Sequence, residues 1–141
     1  METQHLAIAS VPVQSWSGEL YEHAQALRIG TIFPELNMPF FAAESLPGEE
    51  VPLASGDSGN PMQQEREELM AQISAVSFVL DDLMLFLDTH PTQQEAVSLR
   101  KQLIEERKRL LKEYDQKYYS LTKDCEGMWT EGPMPWEGAC I

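Results

Sequence analysis

Leu69, Ile73, Val76, Leu80, Leu83 and Leu87 recur in alternating steps of four and three. At about 100° per residue that spacing gathers all six on one narrow stripe and predicts a helix over about 65–88. A second run puts Ala96, Leu99, Leu103, Leu110, Tyr114, Tyr118 and Leu121 on one slowly drifting face, with Glu105, Glu106, Arg107, Lys108 and Arg109 opposite or beside it. This pattern predicts a second amphipathic helix over about 93–119. Between the two, Pro91 disfavours helical backbone at His90, so the first helix should stop before it. Thr92 then offers its hydroxyl to a free N–H of the next first turn, and Glu95 three residues on completes a capping box. Helices joined by so short a connection run antiparallel, so the expected fold is all-α with a two-helix hairpin as its rigid part.

One partner helix does not satisfy the first helix. Ala71, Phe78 and Leu85 recur every seven residues on the side away from the leucine stripe, flanked by Asp81 and Asp82. A buried Phe or Leu side chain contributes roughly 1.5–3 kcal/mol, so this second seam is expected to be covered, either by another part of the chain or by another molecule. Upstream, "ELYEHAQALR" at 19–28 predicts a short helix with Ser17 as its cap and Gly30 as its stop. In the "GTIFPELNMPF" that follows, Pro34 and Pro39 exclude a long regular element, while Ile32, Phe33, Leu36, Met38, Phe40 and Phe41 supply apolar anchors. It reads as an extended arm that docks on a surface. Residues 42–64, rich in Gly, Pro, Ser and acid without any period, read as a flexible linker between an N-terminal module (1–41) and a C-terminal one (65–137). The closing "MWTEGPMPWEG" sets Trp129 and Trp136 among prolines and glycines, an irregular tail with the same docking character as the arm.

Charge removes one class of partner. The 141 residues carry 23 acidic against 10 basic side chains, a formal net charge of −13, and phosphate backbones need clustered Lys and Arg, so no nucleic acid is expected. The deficit is general, with one base and eight acids in residues 1–64 and nine bases and fifteen acids in the rest. The N-terminus lacks the positive region and long apolar run of a secretory signal. The longest strongly apolar stretch, "FVLDDLMLFL" at 78–87, contains two aspartates and is about half the ~20 residues of a membrane span, so it reads as core or interface. Cys125 and Cys140 are too few for a disulfide scaffold or a four-thiolate zinc site, and read as free thiols.

The densest group of reactive side chains is Asp81, Asp82, Asp88, His90 and Glu95, around the predicted reversal. Metal centres in helical bundles aim Glu-x-x-His pairs inward from several helices, and neither predicted long helix carries such a pair. His5, His23 and His90 fall in different segments. Neither ligand number nor spacing matches a usual site, so no metal or cofactor is expected, and His90 and Asp88 read as a turn residue and a polar helix end. No Gly-x-Ser-x-Gly elbow or phosphate-cradling glycine loop nominates an enzyme either. Tyr114, Tyr118 and Tyr119 read as seam residues, with oxidative cross-linking the lesser alternative.

Two stretches carry a family resemblance. "ALRIGTIFPELNMPF" at 26–40, with the upstream "VPVQSW", resembles the CotJA family of small bacterial spore coat proteins. "AVSFVLDDLMLFLDTHPTQQEA" at 75–96, with the charged helix and the "MPWEG" ending, resembles its companion family CotJB. The resemblance covers roughly residues 8–41 and 65–137, two components that usually occur as separate chains and are joined here. It implies a non-enzymatic protein made in the mother-cell cytoplasm and incorporated into the endospore coat together with a manganese catalase-like component, CotJC, and other coat proteins. An accessory subunit regulating that enzyme is the alternative. Self-association is also consistent with the open seam. The expected partner-binding residues are Phe33, Pro34, Leu36 and Phe40 in the arm, Phe78 and Leu85 on the seam, and Trp129 and Trp136 in the tail.

Overall fold

The computed structural model describes residues 13–37, 61–123 and 132–133. Three α-helices, α1 (His23–Ile29), α2 (Pro61–Thr89) and α3 (Gln94–Lys117), and one 3-10 turn (Pro34–Leu36) make up the regular structure of these residues, with no strand among them. The all-helical expectation and the hairpin both hold. Helix α2 begins four residues earlier than its leucine stripe implies, at Pro61, whose missing N–H costs nothing in a first turn. It ends at Thr89, immediately before the His90–Pro91 step.

The leucine stripe joins the two long helices. Leu69, Ile73, Val76 and Leu83 are buried, with Leu80 and Leu87 half-buried beside them, and Ala96, Leu103, Leu110 and Tyr114 of α3 meet them. Lys117 near the end of α3 reaches Glu65 near the start of α2 at 2.6 Å, which marks the antiparallel direction. Lys117 also holds Glu113 at 3.1 Å. The two carboxylates stabilise the ammonium and push its pKa upward. These pairs are exposed and screened by solvent, so they fix register more than they add stability. Arg107 adds a cross-hairpin bond, donating Nε–H to the Ser77 hydroxyl at 2.8 Å, and that hydroxyl donates to the Ile73 carbonyl.

By length and mean hydropathy α2 could cross a membrane, yet here two of its faces are occupied by protein. One meets α3. The other carries Ala75, Val79, Asp82 and Phe86, again in steps of four, three and four, and receives the N-terminal segment. Ala26 of α1, Ile32 and Phe33 join the same buried core as the hairpin residues. The seam foreseen at Ala71, Phe78 and Leu85 is therefore not the one that the N-terminal segment fills. Phe78 is half-buried against the core edge, and Leu85 stays 62% exposed.

Two local expectations are corrected. Helix α1 starts at His23 instead of 19, because Gly18 turns the chain in the left-handed region at φ 78° and the Tyr21 N–H is committed to the Ile32 carbonyl at 2.9 Å. Ser17 consequently accepts the Glu19 N–H in a local turn and caps no helix. Gly30 does terminate α1, with φ 93° and its N–H on the Ala26 carbonyl. The capping box at Thr92 and Glu95 does not form. Gln93 precedes α3 without a side-chain cap, after a turn closed by the Gln93 N–H on the His90 carbonyl.

Candidate protein-docking interface

The extended segment 13–22, helix α1 and the turn through Phe33 lie along α2 and the reversal into α3, and three polar side chains of the hairpin hold them. Asp82 is the first. A lone carboxylate between Val79 and Phe86 on an apolar face needs donors, and it accepts the Ile32 backbone N–H at 2.8 Å and the Thr31 hydroxyl at 3.1 Å. Thr31 in turn accepts the Phe33 N–H at 3.1 Å. One carboxylate thus orders three consecutive residues, with hydrogen bonds strengthened by its charge.

His90 is the second. Its Nε2 lies 3.0 Å from the Gln14 carbonyl, and because a carbonyl only accepts, this nitrogen carries the proton. The other nitrogen faces the Thr89 hydroxyl at 2.8 Å. The imidazole is stacked flat on Phe86, with ring centroids 4.3 Å apart. Glu95 is the third, accepting the indole N–H of Trp16 across 79 residues of sequence. This tie explains the missing capping box, since the carboxylate that would have reached back to its own helix is engaged elsewhere.

Around these ties the aromatic rings form one cluster. Phe86 stands 5.1 Å from Phe33 and 5.5 Å from Trp16, and Trp16 meets Phe33 edge-on at 6.4 Å. Asn37 closes the segment on itself by donating to the Tyr21 hydroxyl at 3.1 Å. Of the acids and histidine that first suggested chemistry, Asp82, His90 and Glu95 thus have partners of their own. Among the described residues no three His, Cys, Asp or Glu side chains converge as metal ligands.

Of the residues expected to bind partners, Phe33 is buried at 2% exposure and docks inside its own chain. Pro34 and Leu36 are half-buried behind it, Leu36 packed on the core. Phe78 is half-buried, whereas Leu85 is exposed, with Met84 next to it 45% exposed. Phe40, Trp129 and Trp136 lie outside the described residues. The sequence reading missed Trp16, Asp82, His90 and Glu95 as docking residues. For Asp82 a signal was present, a charge at helical spacing between Val79 and Phe86. For the Trp16–Glu95 pair nothing local pointed to it.

Beyond α1, an open groove of about 450 Å³ runs between Leu27, Ala71, Ala75, Val76 and Leu110, rimmed by charged residues including Glu68 and Glu106. At the far end of the hairpin Tyr114 is fully buried between the rings of Tyr118 and Tyr119, 5.0 and 5.3 Å away. Its hydroxyl makes no hydrogen bond of standard geometry. Burial first, and the Tyr119 side chain next, push the phenol well above its ordinary pKa. Because the folded protein holds this proton more tightly than the unfolded chain, the associated stability is present below pH about 10 and drains away as pH rises beyond it. Tyr114→Phe removes an unpaired buried polar atom. The expected result is an unfolding free energy from urea titration unchanged or raised, by up to about 1 kcal/mol, with a shallower loss of stability at alkaline pH.

The CotJB protein family model matches residues 67–137, a little over half of the chain. The model of the spore coat associated protein JA family, CotJA, matches residues 5–40. No curated protein and no solved structure matches the chain. The three polar ties and the aromatic cluster all run from the stretch matched by one family model to the stretch matched by the other.

Proposed function

We propose, from the premise that the chain belongs to the CotJB protein family, that it is a non-enzymatic assembly component of the endospore coat. Its association with the spore coat follows from its two families; the finer reading is that it helps incorporate a manganese catalase-like coat component after synthesis in the mother cell. The observation that carries this reading is the use of the chain's densest acid and histidine cluster. Asp82, His90 and Glu95 serve to hold a polypeptide segment, so the chemistry-bearing side chains work in protein recognition. A second support is the exposed pair Met84 and Leu85, large apolar side chains that no neighbour covers well. Leu85, with Phe78, Pro34, Leu36, Phe40, Trp129 and Trp136, forms the proposed set of contacts to other coat proteins. Phe33 is spent within the fold.

Fractionation of purified spores tests the location. The chain is expected in the alkaline-detergent coat extract and depleted from the spore interior. Recovery only from the soluble mother-cell lysate would overturn the reading.

A further inference from the structure

We propose that the face of α2 and the α2–α3 reversal bearing Asp82, Phe86, His90 and Glu95 is a receptor site for a CotJA-type segment as a separate molecule, which this chain occupies with its own residues 13–37. The proposal concerns recognition between the two halves and stands independently of any role in the coat.

The first argument is one of self-sufficiency. A seven-residue helix is far below the length at which helices persist alone. The buried apolar side chains of the segment, Ala26, Ile32 and Phe33, belong to the core of the hairpin. The segment therefore gains its order from α2, as peptides do that fold upon a partner. The second argument is specificity. Each tie pairs a donor with an acceptor at a fixed position: the Ile32 N–H and Thr31 hydroxyl with Asp82, the imidazole with the Gln14 carbonyl, the Trp16 indole with Glu95. Three such ties over one segment define a single register, which general apolar contact would not. The third is the boundary between the family models. Residues 41–66 are matched by neither family, and every tie described crosses that gap. Tethering raises the effective concentration of the segment, and the site itself is formed by residues on the CotJB side alone.

The test uses the full chain with a site-specific protease sequence placed within residues 45–55, cleaved after folding. The two fragments are expected to co-elute on size exclusion at micromolar concentration, and added synthetic 13–37 peptide should displace the native fragment. Asp82→Ala in the same chain should weaken retention about tenfold or more, the loss of charge-assisted bonds to two donors. Circular dichroism before cleavage reports whether that variant keeps its helices. If it does not, Trp16→Phe, which keeps an aromatic ring but removes the indole N–H and part of the ring's packing on Phe86, carries the test with a smaller loss of retention. Separation of the wild-type fragments while the larger keeps its helicity would overturn the proposal. So would retention unaffected by both substitutions.

Discussion

Phe86→Ala is expected to cost about 3–5 kcal/mol of stability and to release the N-terminal segment before the hairpin opens. Phe86 is 2% exposed and touches three rings from three parts of the chain, Trp16, Phe33 and His90. Truncation leaves a cavity where those rings meet, and small domains close such cavities only partly. It also removes the flat surface that holds the His90 imidazole toward the Gln14 carbonyl. A loss of this size is a large share of the about 5–15 kcal/mol typical of a folded domain. Hydrogen exchange separates the two stages of the loss. The Ile32 amide, bonded to Asp82, should exchange about a hundredfold faster or more, while amides in the middle of α3 keep most of their protection. An unfolding free energy from urea titration within about 1 kcal/mol of wild type would show that the aromatic cluster does not hold the segment.

The hairpin was legible in the sequence because its determinants are local. Alternating steps of four and three need only one helix to be read, and Pro91 ends that helix wherever the rest of the chain lies. The docking of the N-terminal segment was not legible, for a corresponding reason. Its determinants are pairs separated by 50 to 79 residues, such as Ile32 with Asp82 and Trp16 with Glu95. Glu95 shows how a local rule loses to a distant partner, since its capping-box spacing was sound and the indole took the carboxylate instead. The same competition moved the start of α1, where the Tyr21 N–H serves the Ile32 carbonyl. The seam expected at Ala71, Phe78 and Leu85 is not the face that the N-terminal segment covers; the segment settled one face over, and Leu85 stays exposed. The apolar positions Ala75, Val79 and Phe86 flank a carboxylate, and an isolated Asp82 reads as a polar interruption until its donors are known.

That displacement leaves Leu85 and Met84 open, and Leu85→Asp is the substitution with the largest expected effect on function. At 62% exposure Leu85 is one of the most exposed large hydrophobic residues described, so its loss should change folding stability by no more than about 0.5 kcal/mol. A side chain that anchors the buried centre of an interface as a hot spot carries about 2 kcal/mol or more of binding, and that is the role proposed for Leu85. A carboxylate there would also lie on the same helix as Asp81 and Asp88, two further negative charges. The expected weakening of partner binding is about thirtyfold or greater, with the helical spectrum and the docking of segment 13–37 unchanged.

Co-expression with the manganese catalase-like coat component, followed by affinity capture on this chain, measures that binding and the proposed assembly role together. The wild-type chain should retain the component in a fixed ratio, and Leu85→Asp should lose most of it at equal expression. Failure of the folded wild-type chain to retain the component, or equal retention by both chains, would contradict the account.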